Sequence, residues 1–281
     1  MTPTGNAFTH PATTAGLYHD GARLAARTSA LHQAKVQGRP VAEVIADLAA
    51  GQMPDPQQAI IADVGCGRGT SSRILAERLH PKSLLAIDAS AAMLAAARAR
   101  IACAQPSAGI TYIRADFHRL PVTDATCSLV VAAFCLYHAP DPRPVIAEIA
   151  RILAPDGIAI LVTKSTDSYR TLDELIAAAG LDPDAVRRPS LYETAHSGNL
   201  ATLLAPPLRI IGTEHEEHKF AFTGFDHVAA YLATTPKYEL PSGMAANPDA
   251  IAAALHARMT DRPVVATSTI TYMTAVRGDL P

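Results

Sequence analysis

Gly65, Gly67 and Gly69 stand at alternate positions directly after the apolar run Ile60-Ile61-Ala62-Asp63-Val64, and Ser71 to Leu79 beyond them read as a helix. A strand, a tight glycine turn and a helix N-terminus in that order make the βα unit that holds a nucleotide-like cofactor. Glycine is needed there because a Cβ would block the cofactor's close approach or forbid the φ values of the turn. Asp88 closes a second short strand, nineteen residues after Gly69. A carboxylate at that point can accept both ribose hydroxyls of an adenosine, which on geometry alone leaves an NAD-dependent oxidoreductase open. Asp116-Phe117, after a third strand, adds an acid beside an aromatic ring suited to adenine.

The elements that must position these residues alternate along the chain. Ser83 to Ile87, Ile110 to Arg114, Cys127 to Phe134 and Ile158 to Thr163 read as the second to fifth strands. Ala91 to Ala104 is an alanine-rich helix with Ser90 as its cap, and Pro144 to Leu153 a helix with proline in its first turn. Pro155-Asp156-Gly157 reads as the turn into the fifth strand. Strands Leu208 to Phe222 and Val264 to Val276 complete the set, about forty residues apart and so too distant for a tight hairpin. The expectation is an α/β fold: a Rossmann-like, doubly wound, seven-stranded and mostly parallel sheet covered on both faces.

The remaining segments read as a helical cap. Leu17 to Lys35 and Val41 to Leu48 are helical after a Thr/Pro/Gly-rich start. Ser168 to Ala179, Leu200 to Leu204, Phe225 to Thr234 and Ala250 to Met259 are further helices, and Asp182 to Ser197 a polar loop. The expected plan is an N-terminal cap segment at 1–50, the cofactor-binding core at 51–164 and a cap insertion at 165–205. The last strands then occupy 206–281, with a helical insertion at about 224–262.

Hydrophobic residues make up 49% of the 281, ample for a core, and 24 basic against 26 acidic residues leave a formal charge of −2. No long basic stripe speaks for a nucleic-acid partner. Cys66, Cys103, Cys127 and Cys135 lack CxxC spacing and read as free thiols of a reducing compartment. Met1-Thr2-Pro3-Thr4-Gly5-Asn6 lacks the pattern of a signal peptide, and no uncharged apolar stretch reaches spanning length. A cytoplasmic protein with no membrane partner, monomeric or homodimeric, is expected.

Five motifs occur in a fixed order: Asp63-Val64-Gly65-Cys66-Gly67-Arg68-Gly69, Ala86-Ile87-Asp88, Ile113-Arg114-Ala115-Asp116-Phe117, Leu129 to Phe134 with Leu136-Tyr137-His138, and Arg151-Ile152-Leu153-Ala154-Pro155-Asp156-Gly157. The ordered set, spanning roughly 60 to 163, resembles the class I S-adenosylmethionine-dependent methyltransferases, in the small-molecule branch that includes ubiquinone and menaquinone methyltransferases. The resemblance implies that Asp63 holds the methionine amino group and that Gly65, Cys66, Gly67 and Gly69 admit the methionine and sugar parts. It implies ribose contacts from Asp88 with Ala89 beside it, adenine contacts from Asp116 and Phe117, and further cofactor contacts from Met93 and Phe134. Asp63 or Asp88 as a helix cap, and Phe117 as a core aromatic, are the competing structural readings.

Methyl transfer from a sulfonium is an in-line displacement with a good leaving group, so the protein must mainly place the nucleophile about 3 Å from the methyl carbon. A metal is not obligatory, and a base is needed only for a hydroxyl or an activated carbon. His138 after the fourth strand is the first candidate base, with Tyr137 to orient it; a structural histidine before Pro140-Asp141-Pro142 is the competing reading. Lys164 can bind an acceptor carboxylate or form a salt bridge. Tyr18 and His19 lie on a segment that closes over cofactor and acceptor in related enzymes. Arg23 and Arg27, four and eight residues after His19, share its helical face and can form an anion-binding surface, for the cofactor carboxylate or for an acidic substrate; a solvated helix face is the competing reading. Tyr169, Tyr192, His196, Lys237 and Tyr238 are second-line candidates. In Glu214-His215-Glu216-Glu217-His218 the histidines fall on opposite faces of a strand and cannot easily share an ion; Glu214, Glu216 and His218 could, but a charged edge strand is expected there and no metal.

The function expected is methylation of a small, polar metabolite or natural-product intermediate, with S-adenosylmethionine as cofactor. An NAD-dependent oxidoreductase and a non-catalytic cofactor-binding interaction protein are the alternatives.

Overall fold

The computed structural model describes residues 6–19, 21–104 and 109–278; residues 1–5, on which most of the signal-peptide reading falls, lie outside the described residues. Helix α1 (Pro11–Leu17) and helix α2 (Ala22–Ala34) take the place of the single predicted helix over 17–35. The break falls where Gly21 adopts φ +73°, just ahead of α2. Lys35 then leaves helical geometry, and β1 (Lys35–Gln37) begins. Helix α3 (Val41–Gln52), β2 (Ile60–Val64), α4 (Thr70–Leu79), β3 (Ser83–Asp88), α5 (Ala91–Ala102), β4 (Gly109–Arg114) and β5 (Cys127–Ala133) follow in the predicted rhythm. The chain continues through α6 (Arg143–Ile152), β6 (Leu153–Lys164), α7 (Arg170–Ala178), α8 (Leu200–Leu204), β7 (Leu208–Phe222), α9 (Phe225–Leu232), α10 (Pro248–His256) and β8 (Val264–Arg277).

The sheet has eight strands in the order β1-β7-β8-β6-β5-β2-β3-β4, one more than predicted. The additional strand is β1, antiparallel to β7 with Lys35 opposite Phe220. From β6 to β4 all neighbours run parallel, with Ile61 opposite both Leu84 and Leu129. The α/β, mostly parallel architecture is therefore as expected. Pro155-Asp156-Gly157 does not separate helix from strand. It lies inside β6, where the register jumps from Cys127↔Leu153 to Leu129↔Ile158, so the extra residues bulge within the ladder.

The chain forms two compact units. A core unit comprises 39–163, 194–215 and 271–281; a helical unit comprises 1–38, 164–193 and 216–270. In the core unit Ile61, Ala62, Val64, Leu84, Leu129, Val130 and Ile160 are buried on both faces of the sheet, which is why those strands read as continuous apolar runs. In the helical unit Phe222, Phe225, Val228, Ile251 and Leu255 are fully buried around Tyr169 and Tyr231. Among the described residues no helix is long and apolar enough to cross a membrane.

Candidate functional site

In the core unit the chain leaves β2 and turns through Gly65, Gly67 and Gly69, all in the left-handed region, before α4 begins. The Cys66 N–H donates to Ile87 O at 2.9 Å and the Gly69 N–H to Cys66 O at 2.9 Å, which pins the turn to the end of β3. Two of the glycines serve different ends. A Cβ on Gly69, at φ +72°, would lie 2.8 Å from Ala97 Cβ, so this residue lets α5 approach the turn. A Cβ on Gly67, at φ +53°, would meet nothing within 4 Å. The middle of the turn thus faces open space while its far end is packed.

Asp88 joins the turn to the next helix. Its Oδ2 accepts the Gly67 N–H at 2.9 Å and its Oδ1 the Ser90 N–H at 2.8 Å, while Ser90 Oγ caps α5 by accepting the Met93 N–H at 3.3 Å. Burial raises the Asp88 carboxyl above its ordinary pKa against the opposing effect of the two N–H donors. A carboxylate has about four lone-pair sites, so two remain for a ligand's hydroxyls. The Ala89 carbonyl accepts from Arg114 Nε at 3.2 Å, and Met93 is buried in α5. The Cys66 and Cys135 thiols are pushed up by burial, and Cys135 Sγ donates to Val64 O at 3.3 Å.

Asp63 is only 1% exposed, and Ser72 Oγ of α4 donates to its Oδ2 at 2.5 Å. It therefore ties β2 to α4 across the turn. Burial, with a smaller contribution from the nearby Asp88 charge, raises its carboxyl from 3.8 to about 6 against the Ser72 hydrogen bond. A folded-state pKa above the unfolded one means that the native protein binds the proton more tightly. Stability should then fall as pH rises from about 4 to about 6, by on the order of 3 kcal/mol if this group acts alone. Asp63→Asn should flatten that part of a thermal-unfolding profile; an unchanged slope would show that other carboxyls set it.

At the end of β4, Asp116 accepts the His118 N–H at 2.9 Å and lies 2.7 Å from His118 Nδ1; these contacts, the backbone one first, hold its carboxyl below the ordinary value. The Phe117 ring meets His118 edge-on, with centroids 4.7 Å apart. His118 was not among the predicted residues; the Asp-x-His spacing was its only signal. Phe134 follows β5 with φ +57°, and its N–H donates to Val162 O at 2.9 Å. A left-handed non-glycine residue costs roughly 1–2 kcal/mol, and such strain concentrates where a side chain is held for a task. The short 3₁₀ turn Leu136–His138 then buries Tyr137 and leaves His138 half-buried, with ring centroids 4.9 Å apart. Thr194 Oγ1 donates to Tyr137 O at 3.2 Å, and the His138 N–H to Cys135 O at 3.0 Å.

Tyr18, His19 and Lys164 belong to the helical unit. Tyr18 caps α1, and His19 is exposed. Gly21 interrupts the helix ahead of α2, so the predicted common face holds for Arg23 and Arg27 but does not include His19. Lys164 Nζ donates to Tyr169 Oη at 2.8 Å and lies 5.5 Å from the Tyr192 ring centroid; burial lowers its pKa. Lys237 and Tyr238 both bond to the Asp173 carboxylate, at 2.6 and 2.8 Å. In the core unit Gly198 N–H donates to His196 Nδ1, and His215 Nδ1 lies 2.8 Å from Thr271 Oγ1. His218, in the helical unit, is buried with Nε2 3.5 Å from Glu216 Oε2. Among the described residues no three His, Cys, Asp or Glu side chains cluster to hold a metal.

Residues 62–161 match the family described as Methyltransferase domain, a span that includes the glycine turn, Asp88, Asp116 and β5. The chain is 31% identical over 140 residues to a malonyl-[acyl-carrier protein] O-methyltransferase of Marinomonas sp. (strain MWYL1), covering 50% of each. It is 32% identical over 168 residues to a trans-aconitate 2-methyltransferase of Variovorax paradoxus (strain S110), covering 60% of this chain and 58% of that one. The chain thus spans about half the length of the curated relatives it matches. A candidate methyltransferase of Bacillus halodurans C-125 shares the fold, with TM-score 0.58 at 16% identity over 84% of this chain and 98% of that one. The likeness to that structure is one of fold.

Proposed function

We propose that this protein transfers a methyl group from S-adenosylmethionine to a small acidic metabolite or natural-product intermediate. The observation that carries the reading is the glycine turn, open at Gly67 and tethered by Asp88, whose carboxylate keeps lone pairs for two ribose hydroxyls. In this reading Gly65, Cys66, Gly67 and Gly69 lie along the methionine and sugar parts, and Asp116 and Phe117 hold the adenine. Asp63 supports the turn from beneath through Ser72. When bound, the cofactor supplies a methyl group on a sulfonium with a neutral thioether as leaving group. Phe134, Tyr137 and His138 then serve to exclude water and orient the acceptor at the carboxyl end of β5, and a base is needed only where the acceptor must lose a proton.

The names of the two relatives identify acids as their acceptors. They, rather than the quinones of the sequence resemblance, set the acceptor class of this reading. Calorimetric titration with S-adenosylmethionine, S-adenosylhomocysteine and NAD tests it. Micromolar binding of the first two and none of NAD is expected, whereas NAD binding alone would turn the reading toward hydride transfer.

A further inference from the structure

Arg23 and Arg27 lie one turn apart on α2 and converge on one main-chain oxygen just beyond α9. Arg27 Nη2 donates to Thr234 O at 2.7 Å and Arg23 Nε to the same oxygen at 3.2 Å; Arg27 Nε reaches Thr234 Oγ1 at 3.4 Å. The Arg27 guanidinium also lies 5.4 Å from the Phe8 ring centroid. Both arginines are half-buried, and among the described residues neither has a carboxylate within ion-pair distance. Arg151 and Arg188 show the contrasting arrangement, each held by two carboxylates: Glu148 and Asp124 for the first, Asp182 and Glu239 for the second.

Capping the carboxyl end of α9 accounts for one arginine on this carbonyl. It does not account for two, since like charges side by side oppose each other and a sheltered cation without a counter-charge is unfavourable. Burial first, and then the Arg27 charge, lower the Arg23 pKa. Among the described residues the surroundings supply no counter-charge. The Arg27 charge is felt at Lys164, Tyr169, Tyr192 and Tyr231, one further cation and three phenols. Asp173, which acts on Tyr231, is already taken by Lys237 and Tyr238. Leu17, Tyr18, Arg23, Leu24, Arg27 and Thr234 line a pocket here, and most of the ten N–H donors of the two forks have no protein partner among the described residues. A planar fork matches a carboxylate through paired hydrogen bonds.

We propose that Arg23 and Arg27 form an anion site of the helical unit that takes a carboxylate of a small organic acid. This anion site stands independently of the methyltransferase reading.

The test is calorimetry on the full chain with tricarballylate, a tricarboxylate probe, alongside its trimethyl ester, inorganic phosphate and S-adenosylhomocysteine. Tricarballylate should bind the wild type and the ester should not. Arg23→Met/Arg27→Met should weaken tricarballylate about tenfold or more while S-adenosylhomocysteine stays within about twofold. Arg27→Lys, which keeps the charge and the contact beyond α9, should fall between the two and guards against loss of folding in the double variant. Failure of the wild type to bind tricarballylate, or equal binding by the double variant, overturns the site. Phosphate binding as tightly as tricarballylate overturns the carboxylate preference. A parallel loss of S-adenosylhomocysteine affinity would trace the effect to damage beyond the two arginines and overturns the site. If S-adenosylhomocysteine fails on the wild type while tricarballylate binds in an arginine-dependent way, the methyltransferase reading falls and the anion site stands.

Discussion

Asp88→Ala should weaken S-adenosylhomocysteine binding by about two orders of magnitude or more, with the fold retained. Two effects act together. The substitution removes the acceptor for the ribose hydroxyls, each charge-assisted hydrogen bond contributing roughly 1.5–3 kcal/mol. It also releases the Gly67 and Ser90 N–H groups, so the turn that must receive the cofactor loses its tether to β3. Both donors can turn to water in the variant, and Asp88 is only partly covered, so global stability should change far less than affinity. Calorimetry and thermal unfolding on one preparation separate the two. Unchanged affinity would remove Asp88 from the cofactor site; a collapse of both readouts would make it a structural residue.

The glycine turn gives the second large effect, as a contrast between neighbours. Gly69→Ala combines left-handed backbone with a Cβ 2.8 Å from Ala97 Cβ and 2.9 Å from its Cα, backbone that cannot swing aside. A destabilisation of about 3 kcal/mol is expected, or about 6–12 °C in melting temperature. Gly67→Ala carries backbone strain of only about 1–2 kcal/mol, because its Cβ enters open space. That space is where the cofactor would lie, so here binding should fail while the fold survives. Equal behaviour of the two variants in melting and in binding would contradict the division of the turn into a packed end and an open middle.

β2, β5 and the later part of β6 are legible in the sequence because their residues are buried on both faces and so form unbroken apolar runs. The glycine turn and Asp88 are legible for a related reason, since the turn's chemistry is local and its spacing survives in one dimension. β1 is not legible. Lys35-Val36-Gln37 is too short to carry a pattern, Val36 is 66% exposed, and the strand is defined by its pairing with Phe220 and Lys219 of β7. The turn predicted at Pro155-Asp156-Gly157 carries the right residues, yet the β5 ladder draws them into β6 as a bulge. At the site, sequence could propose Asp63 but not that Ser72 holds it. It could align Arg23 with Arg27, but not reveal the Thr234 carbonyl 211 and 207 positions away on which they meet. His19 was misplaced beside them because a helical wheel has no knowledge of the left-handed Gly21.

The interleaving of the two units has a consequence for how the chain is made. β8 inserts between β7 and β6 in the sheet, although both are synthesised before it. Until residue 264 has left the ribosome, β6 and β7 each present an uncovered backbone edge, and β6 is among the most apolar segments of the protein. β8 also supplies residues to both units, since one takes the chain up to Ile270 and the other resumes at Thr271. Neither unit can finish early, so the nascent protein carries sticky strand edges from the synthesis of β6 until that of β8. Its yield on expression should therefore respond more to holding chaperones and to growth temperature than its finished stability alone would suggest.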